Sequence, residues 1–352
     1  MLRLFICLTK KRKKPFKADI EVRPEIYPAA SLYCRENRMD DKIKTTGAYG
    51  GRNFMDKGIG KDKKGYRLWA EMLIVIQSLV YGFGDPISKI AFEVVPVYSM
   101  MTVRYMIAFV FCAAVFGKRI VRTVKSVPVK AWLIPGVCIA LSYVLNNIAL
   151  SMTEATSVAF LRSLAVVMTP ALAFIAYRKR YRWQHIVAQI LVLPGMYLLC
   201  VRGGLSGFGA GEILALLAAA LVAATLVFTG RFLDQVDPVS MTALQAGCSA
   251  VIAFAGSLLV EGGVHAGSAT PKAWLIILYL AILCTFLGYL LQNLALTRIS
   301  DREVALLQSL CPVMTALFSF ILLGEKLSAA GIAGAVIIIV CISASALIKD
   351  EG

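Results

Sequence analysis

Past residue 67 the chain alternates between long apolar blocks and short polar punctuation. The blocks cover 68–90, 97–116, 131–151, 157–177, 183–201, 209–229, 239–260, 273–296, 304–323 and 328–348. Each is close to the ~20 residues that an α-helix needs to cross the hydrocarbon of a bilayer. Barrel strands alternate in polarity and are about half as long, and in lipid only helices and closed barrels satisfy their own backbone. The pattern predicts an all-α integral membrane protein with ten transmembrane helices.

The blocks are not independent of one another. Shifting the sequence by 146 positions lays Tyr143 to Phe174 on Tyr289 to Phe320, with 14 identities in 32 positions. Several are polar or aromatic pairs that apolar bias alone would not align, such as Tyr143/Tyr289, Asn147/Asn293, Ser163/Ser309 and Thr169/Thr315. Upstream, Lys130-Ala-Trp-Leu-Ile134 recurs as Lys272-Ala-Trp-Leu-Ile276 at an offset of 142. The four-residue difference is about one helical turn, which a helix absorbs with little rotation of its faces. The chain therefore divides into a tail (1–67), a first repeat (68–201), a glycine-rich linker (202–208), a second repeat (209–348) and a short end (349–352).

Charge in the loops orients the blocks. With the basic tail inside, the inner loops hold 13 Lys/Arg, among them Lys118, Arg119, Arg122, Lys125, Arg178, Arg180 and Arg231. The outer loops hold four at most: Lys89, Arg202, Lys272 and Lys326. Both termini then face the cytoplasm. Five helices per repeat is an odd number, so the second repeat starts on the opposite side and the topology is inverted, with a pseudo-two-fold axis in the membrane plane.

Composition agrees: 59% of the 352 residues are apolar, 16% are charged and mean hydropathy is +0.73. The net charge of +16 does not indicate nucleic acid, because +10 of it lies in residues 1–67 and the remainder in loops. That tail lacks a helical period, includes Lys10-Lys-Arg-Lys-Lys14 and reads as disordered; Met39 or Met55 is an alternative start. Seven of nine cysteines lie inside apolar blocks, none in a C-x-x-C pair, and His185 and His265 are far apart. Neither a disulfide framework, a metal site nor a cofactor is expected. No P-loop, H-E-x-x-H or G-x-S-x-G pattern occurs, which argues against ATP drive within the chain and against an enzyme.

In the second half, Leu310-Cys-Pro-Val-Met314 through Leu323-Gly-Glu-Lys-Leu327 resembles the end-of-fourth-helix pattern of the drug/metabolite transporter superfamily, specifically its EamA-like ten-helix members. Gly82, Lys89, Pro96 and Arg104 are similar to residues of that family's first two helices. The resemblance covers roughly 68–348 and implies a secondary transporter of small organic solutes, with export of a metabolite or amino acid as the expected task. The first half departs from the pattern: Arg178 and Lys179 stand where glycine and glutamate belong, and proline sits at 170 rather than opposite Pro312.

Polar groups within the blocks are the candidate site, since an ionisable side chain inside a span costs about 2.5–3.5 kcal/mol on insertion scales and needs a partner or a cavity. Arg104 and Arg162 suit an anionic or zwitterionic solute; a snorkelling Arg104 and an Arg162–Glu154 salt bridge are the plainer alternatives. Asp85, Lys89 and Glu93 recur every fourth residue on one helix face. Beside Pro86 and Tyr81-Gly-Phe-Gly84 they suggest either a kink with an internal Asp85–Lys89 pair or a hinge with a protonatable acid for proton coupling. Tyr143, Asn146 and Asn147 in the first repeat match Tyr289, Gln292 and Asn293 in the second, as Arg162 matches Gln308. Asn147 and Asn293 lean towards helix packing, Asn146 and Gln292 towards specificity. Tyr81 and Gln245 complete the candidates. A non-transporting receptor or scaffold remains the competing reading, and the oligomeric state stays open.

Overall fold

The computed structural model describes residues 63–178, 183–200, 209–267, 269–324 and 329–347. The expectations for the N-terminal tail, the 202–208 linker and the C-terminal end lie outside those residues, as do residues 325–327 of the family pattern. Among the described residues there are helices and turns and no strand. In chain order the helices are α1 (Lys63–Phe92), α2 (Val97–Ser126), α3 (Lys130–Met152), α4 (Ala155–Ser163), α5 (Ala165–Tyr177), α6 (Trp183–Cys200) and α7 (Ala210–Phe232). There follow α8 (Pro238–Val260), α9 (Pro271–Tyr279), a π-helical stretch (Leu280–Leu287), α10 (Gly288–Leu296), α11 (Asp301–Gln308), α12 (Cys311–Leu323) and α13 (Ala329–Leu347). Seven helical runs among the described residues are long and apolar enough to cross a membrane, judged by length and composition.

Helix starts follow local chemistry. Asp237 caps α8, its carboxylate accepting from the Val239 and Ser240 amides at 3.2 Å, and Pro238 sits where a missing N–H does no harm. Ser300 and Glu303 form a reciprocal capping box at α11. α2 runs ten residues past the apolar block that ends at 116, carrying Lys118, Arg119, Arg122 and Lys125 on its last turns.

Two blocks expected to be single helices are interrupted, at matched places. α4 gives way to α5 at Leu164, and α11 to α12 at Ser309 and Leu310, through short i→i+3 bonds such as Leu164 N to Leu161 O and Leu310 N to Leu307 O. In the second half Pro312 removes the N–H that would have bonded the Gln308 carbonyl. The first half breaks at the corresponding position without a proline there. Likewise α5 ends on a left-handed residue, Arg178 (φ 52°), where α12 ends on Gly324 (φ 67°).

Residues on the outside are large and apolar, for example Leu259 (86% exposed), Ile175 (75%) and Leu275 (69%), as expected of a lipid-facing surface. Small residues let the helices approach inside: Ala215, Ala218, Ala219 and Ala223 of α7 are fully buried. The principal packing pairs are α3 with α7, α2 with α8 and α6 with α13. α1 lies along α9 and the π stretch, with Tyr279 Oη donating to Val80 O at 3.1 Å and the Phe83 and Tyr279 rings edge-on at 5.2 Å.

Candidate functional site

The helices enclose two adjoining cavities. The larger, about 40 Å³, is walled by polar groups of Ser78, Tyr81, Arg162, Gln292 and Gln308 and by apolar Ile139, Ala165 and Val222. The smaller, about 10 Å³, holds Asp85, Arg104 and Asn146, and shares Tyr81, Tyr143 and Arg162 with the first. A water needs roughly 10–15 Å³ of such volume, so together they hold a few waters.

Tyr143 is the centre of the arrangement. The Arg104 and Arg162 guanidinium carbons each lie 6.0 Å from its ring centroid, and Arg162 is also 6.0 Å from the Tyr81 ring. Tyr81 meets Tyr143 edge-on at 6.3 Å, and Tyr143 meets its repeat mate Tyr289 at 5.6 Å. Burying a guanidinium is costly, and aromatic faces recover part of that cost. Arg104, 4% exposed, is held by Nε donating to Thr285 Oγ1 at 2.8 Å. That hydroxyl in turn donates to Leu280 O at 3.0 Å, five residues back, within the π turn. The π stretch thus places the Thr285 oxygen against Arg104. Arg162 Nη2 donates to Cys311 Sγ at 3.5 Å.

Asp85 lines the smaller cavity together with both arginines, and among the described residues it forms no ion pair within 4.0 Å. Thr315 Oγ1 approaches it at 3.5 Å. The expected Asp85–Lys89 pair is not formed: Lys89 Nζ donates instead to Thr153 O at 3.3 Å, tying the end of α1 to the turn after α3. The Arg162–Glu154 salt bridge is not formed either; Glu154 is exposed, at the start of α4. Pro86 lies within α1, which is helical across it.

Tyr81, Tyr143, Asn146, Arg162, Gln292 and Gln308 therefore converge, joined by Arg104 and Asp85. Repeat mates Arg162 and Gln308 line the same cavity. Asn147 reaches the smaller cavity but donates along its own helix to Tyr143 O at 2.7 Å. Gln245 and Asn293 line neither cavity. Asn293 Nδ2 donates to Thr242 Oγ1 (3.0 Å) and Gln245 Oε1 (2.9 Å), and Gln245 Nε2 to Thr229 Oγ1 (3.2 Å). This network joins α7, α8 and α10.

Three residues of the site had not been singled out: Gln77, Cys311 and Thr285. Gln77 is fully buried and hydrogen-bonds both Gln292 and Gln308. Tyr81 and Gln77 extend the four-residue spacing of Asp85, Lys89 and Glu93 two steps back along α1, but an amide at that place is equally suited to helix packing. Gly288 makes room for the site: a Cβ there would fall 2.5 Å from the Tyr81 ring.

Comparison with known proteins agrees with this architecture. A transporter of Archaeoglobus fulgidus described as uncharacterized is 24% identical over 276 residues, covering 78% of this chain and 85% of that one. A second such transporter from the same organism is 27% identical over 194 residues, 53% of this chain and 65% of the other. A crystal structure of a protein described without a function superposes with a TM-score of 0.65 at 18% identity, covering 80% of this chain and 97% of that one, which is a likeness of fold. The EamA-like transporter family is matched twice, over residues 68–201 and 209–346. An all-helical membrane fold with that double match means that the chain belongs to the EamA-like transporter family, within the drug/metabolite transporter superfamily.

Proposed function

We propose that the protein is a secondary transporter that moves a small organic anion or zwitterion, an amino acid or other metabolite, through the centre of the molecule by alternating access. The observation that carries this reading is the pair Arg104 and Arg162, set around Tyr143 in the cavities between the helices. Two guanidinium charges face one carboxylate, Asp85, and leave one positive charge uncompensated in a region of low dielectric. A solute bearing a negative charge completes the balance.

Several observations support ten spans in two inverted repeats, α4–α5, α9–π–α10 and α11–α12 each counting as one span. A two-fold axis relating five-helix halves pairs the second helix of each half with its mate, and the fifth with its mate. It also exchanges the first–third contacts between halves. The α2–α8, α6–α13 and α3–α7 pairs, with α1 against the π stretch, follow that scheme. Tyr143 meeting Tyr289 sets repeat mates face to face near such an axis. The loop charges favour both termini on the cytoplasmic side of the inner membrane, and the family favours export. Asp85, which lines the smaller cavity with both arginines, is the candidate for proton coupling, with Pro86 in α1 as the hinge and Lys89 anchoring its outer end.

Uptake and counterflow of labelled carboxylates and amino acids in proteoliposomes test the reading. Arg104→Ala and Arg162→Ala are expected to lower transport at least tenfold while the protein still inserts. Transport unchanged in both variants, or no solute moved across a broad metabolite panel, overturns it.

A further inference from the structure

The last turns of α2 carry a stripe that points away from the protein. Phe116, Ile120 and Thr123 face inward: Phe116 and Ile120 pack in one cluster with Val239 and Leu244 of α8, and Thr123 Oγ1 donates to Ser240 Oγ at 3.0 Å. Helical geometry turns positions 118, 121, 122 and 125, spaced i, i+3, i+4 and i+7, to the opposite side. They hold Lys118, Val121, Arg122 and Lys125, and all four are exposed. None of these three cations forms an ion pair among the described residues. α2 itself contains no Asp or Glu. On the neighbouring α7–α8 connection Asp237 is taken up in capping α8, while Asp234 is exposed.

The stripe continues a lipid-facing ridge. Every fourth residue from Met106 to Arg122 is exposed, in the order Met106, Val110, Ala114, Lys118 and Arg122. Apolar side chains thus give way to cations where the apolar block ends. From Lys118 to Lys125 the helix climbs about 10 Å, against a headgroup layer of about 5–8 Å per leaflet. Side chains on a helix lean towards its N-terminus, which for α2 is the way back to the bilayer, and Lys and Arg stems are long enough to cover the difference. We infer that this face of α2 is a binding site for an anionic phospholipid, its phosphate held by Lys118, Arg122 and Lys125 and its acyl chains lying along Val110, Ala114 and Val121. Val121, 53% exposed between the cations, suits the boundary between headgroup and chain. The chain's own tail is a poor occupant, since residues 1–67 carry a net charge of +10. The inference goes beyond the transporter reading and takes from it only that α2 crosses the bilayer; the loop charges place the site in the cytoplasmic leaflet.

The full chain in a neutral maltoside detergent is melted with increasing phosphatidylglycerol, with phosphatidylcholine of the same acyl chains, or with inorganic phosphate. A ligand of the folded form raises its melting temperature, and phosphatidylglycerol is expected to do so at lower concentration than phosphatidylcholine. One cation near an anionic surface is worth about a fivefold change in binding. Arg122→Gln should raise the phosphatidylglycerol concentration needed for half the shift by about that factor. Lys118→Gln, Arg122→Gln and Lys125→Gln combined should raise it at least tenfold. Lys272→Gln removes one exposed charge elsewhere and should leave it unchanged. Equal protection by phosphatidylcholine, an unaltered requirement in the triple variant, or an equal effect of Lys272→Gln overturns the inference. Protection by inorganic phosphate that matches the lipid assigns the stripe to a free anion and overturns it too. Arg122→Gln decides the matter should the triple variant fail to fold. Melting does not require transport, so a chain that moves no solute sinks only the transporter reading, and transport without a phosphatidylglycerol preference sinks only the inference.

Discussion

Arg104 and Arg178 show two ways in which an arginine is accommodated here. Arg104 is buried, and among the described residues its hydrogen-bond acceptor is Thr285 Oγ1, with the rings of Tyr105 and Tyr143 nearby. Thr285→Val keeps the shape and removes that acceptor, leaving a charged donor unsatisfied. The expected loss is about 1.5–3 kcal/mol of stability, read as a lower melting temperature in detergent. Arg178 instead has an exposed side chain and a strained backbone, with φ 52° where its repeat mate Gly324 has 67°. A side chain in the left-handed region costs roughly 1–2 kcal/mol. Arg178→Gly should therefore stabilise the protein by about 1 kcal/mol, a gain visible in the same melt. The arginines and Asp85 were legible in the sequence because a charge in an apolar block is conspicuous. Gln77 was not, because one amide among apolar residues is equally suited to packing, and only its hydrogen bonds reveal its neighbours.

At the level of the helix, the apolar blocks located the helices and missed the interruptions within them. Block length reports hydrophobic thickness and is blind to which carbonyl each N–H meets. The breaks after Ser163 and Gln308 and the π stretch at Leu280–Leu287 are invisible to it for that reason. These are also the places where site residues sit: Arg162 and Ser163 at one break, Gln308 and Cys311 at the other, Thr285 in the π turn. Pro312 offered a cue for one break; nothing comparable marked its mate. Close approach is equally specific. A Cβ at Gly82 would fall 2.8 Å from the Met314 carbonyl carbon and 2.9 Å from the Thr315 amide, so α1 and α12 touch backbone to backbone. Because backbone cannot swing aside as a side chain does, Gly82→Ala should push the helices apart and cost about 1–3 kcal/mol. A lower melting temperature together with weakened solute binding is the expected outcome.

Across the whole molecule, the two ends of the helical bundle are fastened by different chemistry. At one end Arg67 of α1 pairs with Glu303 of α11 at 2.8 Å. At the other, Thr153 Oγ1 after α3 donates to Glu212 Oε1 of α7 at 2.7 Å, and Lys89 Nζ donates to Thr153 O. The Arg67–Glu303 and Thr153–Glu212 contacts each join the first half to the second, whereas Lys89–Thr153 lies within the first; alternating access requires that the two cross-links open in turn. A partly exposed ion pair is worth up to about 1 kcal/mol, or about a fivefold shift in a two-state population. On the proposed topology the Arg67–Glu303 pair faces the cytoplasm and the Thr153–Glu212 bond the exterior. Glu303→Gln should raise the rate at which an impermeant thiol reagent reaches Cys311 from the cytoplasmic side by up to about fivefold. Glu212→Gln should do so from the exterior, and neither should do the other. Labelling of sealed right-side-out and inside-out vesicles distinguishes the cases. Acceleration from the same side in both variants would show that the two ends open together, as in a channel, and would remove alternating access from the account.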